Sequence, residues 1–484
     1  MDIKYFKSAL SHHGKGNWNK AKEIYEHILK SNPNNYAVLQ NYGPLLCQLK
    51  EYKIAKNVFE KCLKLNPKDS LLLYNYGKFF HDQKIFEKAI TYYKKSFELN
   101  PKNVMPLYNA GNIYLFQNEI KKAINLFKEI LEINPSHFLA CNNLGIAYKR
   151  LGKFDEAINY YRKAIEIKKD YVDAHINLST ILLTKCNFDE GLNEYEWRKK
   201  SKSFSDYIDY EALNLKSKIW DGEDLRHKTI LIIVEQGIGD LIQFSRYLFL
   251  LKEEYEVKII IKSKNKNFSH FFSSHNFDFI SESKEIPKHD YHIFLMSLMR
   301  IFFKKNKLFY KSINFFQSDI EIKKKWQKII SNLGGTKIGI HWSTSFLVPE
   351  KDLQFDLFNN LSKQTDKNFI VLQKEIDKLD LLKINKNKKK HHFSEMDKSE
   401  KPFIDSIEII RNLDLVITSD TSIAHLSATL GINTWIALPL ISDWRWFNDT
   451  KKSKWYSNVK LYRQKNIGDW DSAFKLIAKD LLKL

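Results

Sequence analysis

AKEIYEHILKSNPNN (Ala21–Asn35) returns 34 residues later as AKNVFEKCLKLNPKD (Ala55–Asp69), and the echo decides how the N-terminal part of the chain is read. Pro33, Pro67, Pro101 and Pro135 stand 34 residues apart. Ala21, Ala55, Ala89, Ala123 and Ala157 keep the same period, with Gly191 in the next place. Four residues after each comes an aromatic: Tyr25, Phe59, Tyr93, Phe127, Tyr161 and Tyr195. Gly43, Gly77, Gly111 and Gly145 repeat in phase, followed by Ser179. Several registers held at once mark a repeat architecture. The small residue lets two antiparallel helices approach, the aromatic one turn later fills the space beside it, and the proline ends one pair before the next begins.

The pattern resembles the tetratricopeptide repeat, with about six units over residues 1–205. The sixth lacks the proline and carries Gly191, as a capping unit would. The resemblance implies an α-solenoid whose concave face takes a protein partner or an acceptor; a dimerisation arm or spacer is the alternative.

From Lys228 the period changes. TILIIV (Thr229–Val234) is a short apolar run, as expected of a strand covered on both faces. EQGIGD and a helical pattern, LIQFSRYLFLLK, follow, and then VKIII (Val257–Ile261). Phe277–Ile280 and Tyr291–Phe294 are weaker strand candidates. The charged helix Glu321–Leu333 ends at Gly334-Gly335 and links to a second set of strands: Lys337–Trp342, Asn368–Gln373, Asp414–Thr418 and Thr434–Leu438. Strands alternating with helices predict two parallel sheets, at 218–333 and 334–484, with helices on both faces. Ligands of such folds bind beyond the carboxyl ends of the strands, and the distinctive residues stand there.

Glu235-Gln236-Gly237-Ile238-Gly239-Asp240 follows the first strand. Its glycines permit a tight turn and a close backbone approach, and Asp240 stands where a carboxylate either accepts a proton from an attacking hydroxyl or caps the following helix. Ser419-Asp420-Thr421-Ser422-Ile423-Ala424-His425 opens a helix whose free N–H groups and hydroxyls either hold a diphosphate or serve as plain caps. Ser442-Asp443-Trp444-Arg445-Trp446-Phe447 offers an arginine between two indoles, either a stacked cationic clamp or lobe packing.

EQGIGDLIQFSRYL, SDTSIAHLSATLG, DWRWF and the ending WYSNVKLYRQKNIGDWD, in that order, resemble tetratricopeptide-repeat proteins whose C-terminal domain is similar to the family 9, heptosyltransferase-like glycosyltransferases. The likeness runs over nearly the whole chain and is weakest at about 262–335. It implies a GT-B fold of two Rossmann-like lobes, the first on the acceptor side and the second binding a nucleotide sugar. It implies metal-independent, inverting transfer with no cofactor, to a hydroxyl of a glycan or protein. Asp240 is then the base. Gly237, Gly239, Lys351, Asp420, Thr421, Ser422 and His425 are the candidate donor-binding residues, and Trp444, Arg445 and Trp446 the candidate aromatic and cationic clamp. The loop after Trp342 departs from the family. STSFLVPEKDLQF has Lys351 as its only cation, where a longer loop rich in Asn, Asp and Arg is expected, and a lysine ammonium does not reproduce an arginine fork. The Lys-rich segment Lys386–His392 reads as a solvated loop. A non-catalytic repeat scaffold with a degenerate nucleotide-binding lobe pair is the competing reading.

The bulk properties agree with a folded chain without disulfides. Hydrophobic residues make up 43% and aromatics 14% of 484 residues, which excludes wholesale disorder. The formal charge of +21 is spread along the chain: 33 basic and 21 acidic residues up to position 205, and 45 and 36 beyond it. Nucleic acid is therefore not an expected partner, while a diffuse positive field attracts sugar nucleotides and allows peripheral contact with an anionic membrane surface. Cys47, Cys62, Cys141 and Cys186 have no CxxC spacing and read as reduced thiols inside helices. With no secretory pattern at the N-terminus and no membrane-length apolar run, a cytoplasmic location is expected.

Overall fold

The computed structural model describes residues 2–208, 210, 213–281, 285–343, 353–448 and 450–484. The chain divides into two compact units, Met1–Ala174 and His175–Leu484. No helix among the described residues is long and apolar enough to cross a membrane.

The first unit is a run of helical pairs: Asp2–Gly14 with Trp18–Ser31, Tyr36–Gln48 with Tyr52–Leu65, Ser70–Asp82 with Phe86–Leu99, Met105–Phe116 with Ile120–Ile133, and Phe138–Arg150 with Phe154–Ile167. The periodic alanines and aromatics are its core: Ala21, Ala55, Ala89, Ala123 and Ala157, with Tyr25, Phe59, Tyr93, Phe127 and Tyr161, are essentially inaccessible. The periodic glycines face those rings. A Cβ at Gly43 would stand 2.8 Å from the Phe59 ring, and one at Gly145 only 2.4 Å from that of Tyr161. Only a hydrogen fits there. Each pair closes on one residue in the left-handed region, again every 34 residues: Gly16, Lys50, Lys84, Asn118, Gly152 and Cys186. Cys186 is therefore a turn residue and not a helical one, and its Sγ accepts a hydrogen bond from Lys454 Nζ at 3.0 Å. Cys62 and Cys141 are buried as expected, and burial pushes the Cys62 thiol up to about 11.

A sixth pair, Val172–Thr184 with Phe188–Tyr195, belongs mostly to the second unit. Leu183, Leu192 and Tyr195 share one apolar cluster with Trp220, Leu241, Phe244 and Trp444. A short 3-10 helix, Glu196–Lys200, follows. Its Arg198 is buried and donates to Glu235 Oε1 at 2.8 Å, to Ser297 Oγ at 2.9 Å and to the Tyr195 carbonyl at 3.0 Å.

The rest of this unit is two all-parallel sheets. The first contains β1 (Lys218–Ile219), β2 (Thr229–Ile233), β3 (Lys258–Lys262), β4 (Asp278–Ile280) and β5 (Tyr291–Phe294), in the order β1-β5-β2-β3-β4. The second contains β6 (Lys337–His341), β7 (Asn368–Val371), β8 (Lys390–His391), β9 (Leu415–Thr418), β10 (Thr434–Leu438) and β11 (Val459–Arg463), in the order β11-β10-β9-β6-β7-β8. In both, the chain walks outward over three strands and returns to the other side of the first. The reversals fall between β2 and β5 and between β6 and β9, and such a reversal opens a crevice at the carboxyl edge.

Side chains alternate between two buried faces. Ile230 and Ile232 point into the large cluster, while Leu231 and Ile233 meet Phe204, Ile260 and Phe294. That second face is covered by the short helix Lys202–Tyr207 and by Tyr210, Leu213 and Leu215, instead of by long crossover helices. Three strands were not anticipated: β1, β8 and β11. β8 lies in the segment expected to be a solvated loop, and its Lys390 is buried, with Nζ donating to the Lys383 carbonyl at 3.1 Å. β11 pairs along its whole length with β10.

Candidate functional site

The helices Ile238–Phe244 and Ser422–Thr429 start at the carboxyl edges of β2 and β9 and face one cavity of about 620 Å³ between the sheets. Gly237, Gly239, Asp240, Asp420, Thr421, Ser422, His425 and Arg445 all line it. Lys351 lies outside the described residues.

The two glycines do different things. A Cβ on Gly239 would stand 3.3 Å from His425 Cδ2 and 3.7 Å from the Ser422 Cα, so this glycine lets the first sheet's turn press against the second sheet's helix. Nothing crowds Gly237, whose missing side chain leaves cavity space.

Asp240 is not a cap. It is the third residue of its helix, and its Oδ1 accepts from Arg445 Nε at 2.8 Å and from Nη2 at 2.5 Å. Among the described residues its Oδ2 has no hydrogen-bond partner. Burial pushes the Asp240 carboxyl above the ordinary carboxylate range; the Arg445 guanidinium opposes this, while Asp443 and Asp420 add to it. Burial alone would make Arg445 easier to deprotonate, but Asp240 and Asp443 outweigh it and hold the guanidinium firmly charged. Arg445 also donates Nη1 to Asp443 Oδ1 at 2.8 Å and lies over the Trp444 ring at 4.5 Å, so it ties the two sheets' edges together.

The hydroxyl turn is not a plain cap either. Thr421 occupies the N-cap without a capping hydrogen bond; its Oγ1 lies 3.1 Å from Thr418 Oγ1 and 3.5 Å from His341 Nδ1. Ser422 opens the helix at the cavity wall, where its first N–H groups have no helical acceptor. Asp420 Oδ1 accepts from Trp446 Nε1 at 2.7 Å. His425 stacks on the Trp446 ring, with centroids 5.0 Å apart, and its Nδ1 lies 3.2 Å from Tyr456 Oη.

Of the expected clamp, Arg445 alone reaches the cavity. Trp446 is fully buried beneath Asp420 and His425, and Trp444 packs against Tyr195 and Phe244, because both indoles carry more apolar area than a cleft wall can leave wet. Sequence reasoning missed His341, Gln373, Lys374, Asp397, Phe403 and Ser406, which line the same cavity. Position at the end of β6 or just past β7 is signal enough for His341, Gln373 and Lys374. Asp397, which accepts from the backbone N–H groups of Asp405 at 2.8 Å and Ser406 at 3.2 Å, stands in no recognisable pattern. Lys374 and Arg445 are the cationic side chains of the cavity wall among the described residues.

A second device supports the turn from behind. Gln236 Nε2 donates to Tyr195 Oη at 2.9 Å, and Glu235, one residue earlier, is the buried partner of Arg198. The last residues of the sixth helical pair thus hold the segment that presents Asp240.

Profiles of the tetratricopeptide repeat match residues 5–35, 36–69, 71–103, 106–137 and 138–171. The N-terminal helical pairs are tetratricopeptide repeats. Among solved structures, a crystal structure of MamA is 25% identical, covering 33% of this chain and 94% of its own with a TM-score of 0.31. YrrB, described as a tetratricopeptide-repeat protein with an unusual peptide-binding site, is 23% identical over 36% of this chain and 90% of its own, with a TM-score of 0.31. PilF of Pseudomonas aeruginosa is 18% identical over 41% of this chain and 90% of its own, with a TM-score of 0.38. No curated protein matches the chain. The tetratricopeptide profiles end at residue 171, before the two sheets begin.

Proposed function

We propose that the second unit is a GT-B glycosyltransferase that moves a sugar from a nucleotide-diphospho-sugar to a hydroxyl of a glycan or protein, while the repeats recruit the acceptor or a protein partner. The observation that carries this reading is the meeting of Asp240 with the Asp420–Ser422 turn across one cavity, each at the strand-order reversal of its own sheet. In the proposed step the acceptor O–H gives its proton to Asp240 Oδ2 as its oxygen bonds to the anomeric carbon. The bond from that carbon to the donor phosphate oxygen breaks, and the nucleoside diphosphate leaves with the electron pair. Charge growing on the leaving oxygen is met by the N-terminus of the helix Ser422–Thr429 and by the Thr421 and Ser422 hydroxyls. Asp240's raised proton affinity suits a base better than an ordinary surface carboxylate would. The proposed transfer is inverting and uses these fixed dipoles and cations instead of a metal.

The rival is a nucleotide-binding scaffold without turnover, favoured by the grip of Arg445 on Asp240. Titration calorimetry with UDP-, ADP- and GDP-sugars, followed by transfer of labelled sugar into fractionated lysate, separates the two. Asp240→Asn should retain donor binding and lose about 10²- to 10⁴-fold in transfer. Wild-type turnover in that variant would end the assignment of the base; binding without transfer to protein or glycolipid would favour the scaffold.

A further inference from the structure

Arg445 is shared by two carboxylates, Asp240 and Asp443, in a cavity wall with little other cation to match them. Its Nη1 is anchored on Asp443, from its own sheet's edge, and its Nε and Nη2 reach across to Asp240 Oδ1. Asp420 lies close enough to act electrostatically on Asp240. The guanidinium side chain is 11% exposed and the Asp240 side chain 17%. Both side chains line the cavity that also holds the helix N-terminus of Ser422. A diphosphate entering this cavity brings two or more negative charges, and the cations of the described wall are Arg445 and Lys374. Lys374 is already tied to the Asp397 carbonyl at 2.9 Å.

We infer that Arg445 is a donor-responsive latch: resting on Asp240 in the empty cleft, it swings about its Asp443 anchor onto the donor diphosphate and so leaves Asp240 a stronger base only once donor is present. The inference rests on the proposed donor site and adds to it an order of events, donor before acceptor activation. The physics is competition for one fork. Nε, Nη1 and Nη2 of Arg445 are already engaged by Asp240 and Asp443, so a third anion gains a two-pronged grip only by displacing one of them. The apparent affinity for the anion is then lowered by the fraction of molecules in which Asp240 holds the arginine. Removing the competitor raises that affinity, provided the arginine is there to be released. Arg445 is here a positioning and charge-neutralising residue, acting on the base through Asp240 Oδ1 while Oδ2 stays directed to the acceptor proton.

The test is a double-variant cycle on the full chain, read by calorimetric titration with UDP, ADP, GDP and inorganic pyrophosphate. Arg445→Ala should weaken the best of these about tenfold or more. Asp240→Asn should tighten it about tenfold. In the Arg445→Ala background, Asp240→Asn should change the Kd less than twofold. Equal tightening by Asp240→Asn with and without Arg445 would overturn the latch, because it would report only the loss of a repelling charge. So would an Arg445→Ala variant that binds as the wild type does. Absence of binding of any of the four probes to the wild type, with the chain folded by circular dichroism, would instead overturn the donor-site reading itself, and the latch with it. Should Arg445→Ala unfold, Arg445→Lys replaces it in the cycle, with weakening of at least threefold expected because a single ammonium does not reproduce the planar, two-pronged guanidinium fork.

Discussion

Replacing Gly145 by alanine should destabilise the repeat unit, although alanine is the better helix former. Gly145 lies inside the helix Phe138–Arg150, where exchange for alanine at an open position gains about 1 kcal/mol. Here the new Cβ would stand 2.4 Å from Tyr161 Cε1, 2.6 Å from Cδ1 and 2.8 Å from Cζ. Carbon atoms rest at about 3.5–4.0 Å, so the ring would have to retreat by about 1 Å. It has nowhere to go: Tyr161 is wholly buried. Overpacking a close-packed site costs about 1–3 kcal/mol, and with the ring locked the upper part of that range applies. The net expectation is a loss of about 1–2 kcal/mol. Gly14→Ala, where nothing lies within 4 Å of the new Cβ and the backbone is not left-handed, should be neutral or stabilising. Urea unfolding followed by far-UV circular dichroism, with the repeat transition fitted separately, measures both. Shortening the ring (Tyr161→Leu) should relieve much of the penalty of Gly145→Ala when the two are combined. A stabilised Gly145→Ala variant would refute the claim that the periodic glycines exist to admit the rings.

Arg198→Met should cost the second unit about 3–5 kcal/mol, because it leaves Glu235 buried with the Met296 N–H at 3.1 Å in place of an ion pair; denaturant titration by tryptophan fluorescence checks it, and a loss below about 1 kcal/mol would show the pair to be dispensable. Burial would raise Glu196, yet Arg198 and Lys199 pull its carboxyl down to about 2. Since the folded value lies below the ordinary 4.5, this stabilisation is complete above that value and fades as pH falls from there towards 2. Glu196→Gln should therefore flatten the acid limb of the stability curve in that window, measured by urea midpoints at a series of pH values; an unchanged slope would contradict it. Trp446→Phe removes the indole N–H from Asp420 and should cost about 1–3 kcal/mol of stability. It should also weaken UDP, ADP or GDP binding by loosening the Asp420–Ser422 turn, read by the same calorimetry.

Much of this was legible in the linear pattern, for a physical reason. A repeat cannot bury its own apolar stripe, so neighbours must agree residue by residue, and the agreement shows as a 34-residue period in Ala, Gly, Pro and aromatic positions. Buried parallel strands likewise need unbroken apolar runs, so TILIIV and DLVIT announced themselves, and the turns behind them marked Asp240 and Thr421. What sequence left open was which side chains meet. Whether Asp240 and Thr421 are caps or site groups depended on partners 205 residues away in the case of Arg445 and 80 in that of His341. The two-residue strand β8 is too short to carry a period, and β11 sits in a segment of mixed polarity. Periodicity is a property of neighbours along the chain, so the amino-acid order determined the repeats, the longer apolar strands and the turns that end them. The joining of Asp240, Arg445 and Asp443, the burial of Trp446 under Asp420, and the bracing of Glu235 by Arg198 were decided by tertiary packing alone. Contacts between distant segments, unlike helix and strand periods, leave no trace in local spacing.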